Sequence, residues 1–215
     1  MPVDVKICGL TRPADAVLAS THGAWRLGIV FAGGPRMVSR SLAREIVRAA
    51  QVVPVIGVYR SQDVATILEI SRAVGLRGAQ LHGDYPAEAA RELRDGGLEV
   101  WRVASISPER PVPGQVEGLL EQADVLLVEP RHLDGHGGKG VAMDLDRARE
   151  ARLAADGPRF ALAGGLTPDT VAEAIRFVGP DVVDVSSGIE SAPGIKDPAQ
   201  LVRFLEQVRD ANPRA

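Results

Sequence analysis

Two stretches, Phe160-Ala-Leu-Ala-Gly-Gly-Leu-Thr-Pro-Asp169 and Val182-Val-Asp-Val-Ser-Ser-Gly-Ile-Glu190, decide how this chain folds. Each is a short apolar strand that ends in small residues. Gly164-Gly165 has no Cβ to hold a ligand away from the backbone. Thr167-Pro168 reads as a helix start, with Thr167 as N-cap and Pro168 at the first helical position. Ser186-Ser187-Gly188 repeats the arrangement after the next strand. Adjacent strand ends with backbone N–H groups directed outward make a cradle for phosphate. In a (β/α)8 barrel, such a cradle follows strands seven and eight.

Working outward, eight β-rich runs recur: Val3–Ile7, Arg26–Phe31, Val53–Tyr59, Gly78–Leu81, Glu99–Val103, Asp124–Val128, Arg159–Leu162 and Val182–Val185. Most are near-continuous Val, Ile and Leu, as parallel strands buried on both faces require. Helical periodicity fills the gaps at Leu42–Ala50, Asp63–Val74, Pro86–Arg94, Leu145–Ala155, Val171–Val178 and Pro198–Asp210. Ser107-Pro108 and Asp197-Pro198 repeat the cap-then-proline signal. Three prolines at 108, 111 and 113 leave room for only a short helix late in that unit. Eight strand–helix units close a barrel. An open doubly wound sheet is disfavoured, because polar and glycine residues follow nearly every strand and not one switch point alone. The expectation is an α/β chain folded as one (β/α)8, or TIM, barrel domain over residues 1–215.

Composition narrows the function. The 215 residues are 45% hydrophobic, enough for one full core, but only 4% aromatic, with a net charge of −3. Few aromatics and scattered basic residues argue against nucleic acid and against a polybasic membrane patch. No run approaches the roughly 18 apolar residues of a membrane span. With Cys8 the only cysteine, no intrachain disulfide is possible, and a soluble cytoplasmic protein is the simplest reading.

In such a barrel, catalytic groups sit at the C-terminal ends of strands. Cys8 ends the first strand before Gly9. A lone cysteine in an apolar strand is more often inert core, but at a strand terminus a thiolate can act as general base. Glu129 ends the sixth strand, and the barrel turns it from a solvated loop residue into an acid facing Cys8 across the mouth. An acid and a base on opposite sides of a ligand suit an isomerisation. Arg36, after a Gly-Gly-Pro loop, suits bidentate capture of a substrate carboxylate. His82 reads as a hydrogen-bonding wall residue, and Asp184 as a further strand-end polar group. His22, His132 and His136 have no metal-ligand spacing with one another or with Cys8, so neither metal nor cofactor is indicated.

These residues resemble the phosphoribosylanthranilate isomerase family. The likeness runs from Lys6 to about Pro198 on Lys6-Ile-Cys-Gly-Leu-Thr-Arg-Pro13, Leu27-Gly-Ile-Val-Phe31 with Pro35-Arg36, Val38-Ser39 and Gln80-Leu-His-Gly83. It continues on Gly137-Gly138 with Gly140 and Asp144, Leu162-Ala-Gly-Gly-Leu-Thr-Pro168, Asp184-Val-Ser-Ser-Gly-Ile-Glu190 and Pro193-Gly-Ile-Lys-Asp197. The resemblance implies an Amadori rearrangement of an N-phosphoribosyl aromatic amine in tryptophan synthesis, without cofactor, by a monomer or homodimer. It implies Cys8 as base, Glu129 as acid, and Arg36, His82 and Asp184 as substrate-binding residues. Phosphate falls to Gly138, Gly140, Gly164, Gly165, Ser186, Ser187 and Gly188. The family's acid is an aspartate, so Glu129 is longer by one methylene, about 1.5 Å. Lys139 and Met143 also depart from the family's usual small hydroxyl residue and Phe. A paralogue acting on another phosphoribosyl amine, or a barrel that binds such ligands without turnover, are the other readings.

Overall fold

The computed structural model describes residues 2–131 and 142–212. Eight parallel strands form a closed barrel in chain order: β1 (Asp4–Ile7), β2 (Arg26–Val30), β3 (Val55–Tyr59), β4 (Gly78–Leu81), β5 (Glu99–Ile106), β6 (Val125–Pro130), β7 (Arg159–Leu162) and β8 (Val182–Val185). The ring closes where β1 pairs with β8, placing Lys6 opposite Asp184 and Ile7 opposite Val185. Around it lie α1 (Pro13–Thr21), α2 (Arg40–Ala49), α3 (Val64–Val74), α4 (Ala87–Asp95), the short α5 (Pro113–Val116), α6 (Leu145–Ala154), α7 (Val171–Val178) and α8 (Pro198–Ala211).

Strand side chains alternate between two cores. One parity fills the barrel axis with Ile56, Trp101, Val103, Val125, Leu127, Ala161, Ala163 and Val182. Trp101 is fully buried there. The other parity, including Ile7, Leu27, Leu81, Leu126, Phe160 and Val183, packs outward against helix residues such as Ile46, Leu93, Val171 and Phe204. Among the described residues, no helix is long and apolar enough to cross a membrane.

Several starts and stops follow from local chemistry. The carboxylates of Asp63, Asp144 and Asp197 accept backbone N–H groups at the starts of α3, α6 and α8. Each satisfies donors that the first helical turn leaves unpaired.

Two expected helix starts are displaced. Thr167-Pro168 opens a turn: the Thr167 carbonyl accepts the N–H groups of Thr170 and Val171, and α7 begins at Val171 with Thr170 as its N-cap. Ser107-Pro108 starts no helix. The Ser107 N–H is held by the Gln115 side chain at 2.8 Å, and β5 runs on to Ile106 because Ser105 and Ile106 pair with Glu129 and Pro130. The chain after β8 also makes an unforeseen hairpin, β9 (Glu190–Ala192) with β10 (Ile195–Lys196), in which Lys196 stands opposite Glu190.

Candidate active site

Cys8 follows β1 at the C-terminal mouth of the barrel, its N–H bonded to the Val185 carbonyl at 2.8 Å. Val5 and Ile7 belong to the outer core, so alternation directs Lys6 and Cys8 toward the axis. The neighbouring strand makes room. A Cβ at Gly28 would lie 2.7 Å from Cys8 Sγ. At Gly9 (φ +73) a Cβ would lie 2.6 Å from Arg36 Cδ and 2.7 Å from Ser186 Oγ. That turn therefore brings the thiol, the arginine and the serine into one corner. Burial pushes the Cys8 thiol up from its ordinary value, against the pull of Lys6.

Arg36 does aim inward, but its fork is taken. Its Nε donates to Glu190 Oε1 at 2.9 Å and its Nη2 to Glu190 Oε2 at 2.6 Å. The Lys196 ammonium donates to the same carboxylate at 2.8 Å and to the Ser186 carbonyl at 3.1 Å. Glu190 and Lys196 are 4% and 0% exposed, so this is an interior charge network and not a surface pair. Burial works against Glu190's charge, yet Arg36 and Lys196 hold its carboxyl below the usual range.

The two loops of the expected cradle do meet. Gly164 and Gly165 both have left-handed backbone, φ +101 and +67, which a side chain would strain. A Cβ at Gly188 would lie 1.8 Å from the Leu166 carbonyl oxygen, so the loop after β8 packs directly on the loop after β7. Ser187 and Gly188 sit in a single 3-10 turn, and Ser186 Oγ lies 3.4 Å from Lys196 Nζ. Met143 borders this region, its N–H bonded to the Gly164 carbonyl at 3.2 Å. Gly138 and Gly140 lie outside the described residues, as does Lys139.

Across the ring, Glu129 shares the axis-facing parity of Val125 and Leu127. Its Oε1 accepts from Ser105 Oγ at 3.2 Å and lies 3.5 Å from His82 Nδ1. Burial, with help from Arg60 and Lys6, lowers His82 to about 4, so the ring is neutral at pH 7 and meets Glu129 as a polar neighbour. Gln80 Nε2 lies 3.3 Å from its other nitrogen. His82 and Glu129 line a cavity of about 730 Å³ that continues outward past Arg60, Arg102, Ser105 and Arg131.

Sequence reasoning brought Cys8, Glu129, Arg36, His82, Asp184 and the small residues after β7 and β8 to one mouth. It missed Lys6, Glu190 and Lys196. Lys6 carried a signal, a lysine flanked by Val5 and Ile7 in a buried strand. Glu190 and Lys196 stood among the resemblance anchors without a role, because only the tertiary hairpin brings them together.

The architecture is that of a (β/α)8 barrel with glycine- and serine-rich loops after its last two strands and a thiol, a carboxyl and buried cations at its mouth. A family model described as N-(5'phosphoribosyl)anthranilate (PRA) isomerase matches residues 5–207, and the chain belongs to that family. It is 37% identical over 211 residues to the N-(5'-phosphoribosyl)anthranilate isomerase of Trichlorobacter lovleyi, covering 97% of this chain and 99% of that one. It is 39% identical over 215 residues to the Myxococcus xanthus isomerase, covering 99% of each. Among solved structures, the Thermus thermophilus phosphoribosyl anthranilate isomerase superposes with a TM-score of 0.84 at 32% identity, covering 97% of this chain and 99% of that one. A phosphoribosyl anthranilate isomerase in complex with reduced 1-(o-carboxyphenylamino)-1-deoxyribulose 5-phosphate superposes with a TM-score of 0.81 at 30% identity and the same coverage.

Proposed function

We propose that this chain catalyses the Amadori rearrangement of N-(5-phosphoribosyl)anthranilate to 1-(2-carboxyphenylamino)-1-deoxyribulose 5-phosphate, a step of tryptophan biosynthesis. One observation carries the assignment of roles: Cys8, just after β1, and Glu129 on β6 share the axis-facing parity at the same end of the barrel. A sugar between them meets a base on one side and an acid on the other.

Glu129 donates its proton to the furanose ring oxygen. The C1′–O bond breaks, and the nitrogen lone pair forms the C1′=N iminium. The Cys8 thiolate then removes the proton on C2′, and that electron pair forms C1′=C2′ and quenches the iminium. The enolamine tautomerises to the ketose. No electron leaves the substrate, so no redox cofactor is required. Neutral His82, with Ser105, holds the Glu129 carboxyl at the mouth.

The phosphate is assigned to the loops containing Gly164, Gly165, Ser186, Ser187 and Gly188, extended by Gly138 and Gly140. Asp184 faces the sugar, and the anthranilate carboxylate goes to Arg36. Glu190 already fills that fork, so the incoming carboxylate shares Arg36 with Glu190 or displaces it, leaving Glu190 to Lys196. The same occupancy supports a second reading, in which the rearrangement acts on a phosphoribosyl amine without a carboxylate. The chain works as a monomer or homodimer, in the cytoplasm, where Cys8 stays reduced.

A fluorescence progress curve with N-(5-phosphoribosyl)anthranilate tests the assignment. Turnover supports the first reading. Turnover only of an analogue lacking the carboxylate supports the second, and binding without turnover of either compound overturns both.

A further inference from the structure

Lys6 stands where the barrel axis is otherwise packed with Ile56, Trp101, Val125, Leu127 and Val182. It is fully buried. Its ammonium donates to Asp184 Oδ1 at 2.7 Å and lies 5.2 Å from the centre of the Trp101 ring. Stability does not explain it, since replacing a buried ion pair by apolar residues of similar volume is often neutral or stabilising. Asp184 engages one of the three ammonium donors. Cys8 lies two residues further along the chain, just past the end of β1 and on the same face.

We propose that Lys6 is a positioning residue for Cys8: its ammonium, fixed across the strand pair by Asp184, is the counter-ion that stabilises the thiolate. This rests on Cys8 being the base. On deprotonation the S–H bond breaks, its electron pair stays on sulfur, and the proton leaves to solvent.

The charged groups around the thiol fall into distinct roles. From β1, Lys6 favours the thiolate, and from β8, Asp184 opposes it. From β10, Lys196 favours it more weakly than Lys6, and its ammonium is engaged by Glu190 and Ser186. From the loop after β2, Arg36 is drawn to Glu190. Burial penalises the thiolate more than any of them, and Lys6 is the largest influence in its favour. Asp184 and Cys8 both favour the charged form of Lys6 itself, against its burial. Asp184 therefore acts in two directions, fixing the lysine while moderating its effect.

The test is an ultraviolet thiolate titration of the full-length, ligand-free chain, with Cys8→Ser subtracted to isolate the only thiol. Lys6→Met is expected to raise the midpoint by about one pH unit, a roughly tenfold loss of thiolate at a fixed pH below it. Lys6→Arg is expected to keep the midpoint near the parent's. The pH profile of kcat/KM shifts with the titration in Lys6→Met, which a merely structural role would not produce in a folded variant. Circular dichroism checks the fold. If Lys6→Met does not fold, the double exchange Lys6→Met with Asp184→Leu removes the pair together, and its midpoint still rises, though less. An unchanged or lower midpoint in the folded variant overturns the proposal. The titration reads the thiol without turnover. A Cys8→Ser enzyme with full activity would instead sink the base assignment, a separately visible failure.

Discussion

The two sides of the barrel mouth are built differently. Around β1, β2 and β8, charges are matched and packing is tight: Lys6 to Asp184, Arg36 and Lys196 to Glu190, and Cys8 against the bare Gly28 backbone. Around β4, β5 and β6 the mouth opens into a cavity of about 730 Å³, where a neutral His82 and a serine steady Glu129. The contrast suits the proposed division of labour between Cys8 as base and Glu129 as acid. A base buried beside charges needs fixed partners, because electrostatic stabilisation works best when it is preorganised. The acid role proposed for Glu129 requires reach to a ring oxygen, and so needs space.

The comparison breaks first on the tight side. Cys8→Ser is expected to keep ligand binding and lose nearly all turnover, because a serine hydroxyl is a far weaker base at neutral pH. Progress curves beside calorimetric binding of a reduced product analogue check this, and comparable activity would refute the role. On the open side, Glu129→Gln should abolish ring opening while binding survives, since an amide has no useful proton to give. Glu129→Asp should stay active, because the cavity lets the carboxyl settle at either length. A Glu129→Gln enzyme with parental kcat would remove Glu129 from the mechanism.

Arg36→Met should act mainly on KM, raising it about tenfold to a hundredfold, as expected for loss of a charge-assisted bond of roughly 1.5–3 kcal/mol. A kcat effect with unchanged KM would show that the Glu190 network, and not substrate capture, is what Arg36 serves.

The smallest effect on turnover concerns His82, which acts on stability. Its value of about 4 lies below the ordinary histidine range. As pH falls, the unfolded chain takes the proton first, so the stability tied to neutral His82 is complete above about pH 6.5 and drains away toward pH 4. Urea midpoints across that window should fall in the parent, and His82→Gln should be less pH-sensitive by up to about 3 kcal/mol. Equal slopes would show that His82 is not held neutral.

Local pattern made much of this molecule legible. Apolar runs located all eight strands and the C-terminal ends of β1, β3, β4, β7 and β8, because a strand buried on both faces admits polar residues mainly where it stops. Asp197-Pro198 marked the true start of α8. The same dipeptide logic failed at Ser107-Pro108, where pairing with β6 carried β5 onward, and at Thr167-Pro168, where a turn precedes the helix. Propensity yields where a hydrogen-bond ladder or a packed loop offers the backbone a better partner.

By itself, the sequence determined the closed barrel, the end of it at which both Cys8 and Glu129 lie, and the small residues of the last two loops. Each is a property of neighbours along the chain, readable through periodicity and backbone chemistry. Only the tertiary structure decided who pairs with whom: Lys6 with Asp184 across 178 positions, and Arg36 with Glu190 across 154. A charge inside a barrel takes whichever opposite charge closure of the ring and its hairpin place within reach. That choice belongs to the three-dimensional register, and no local run of residues encodes it.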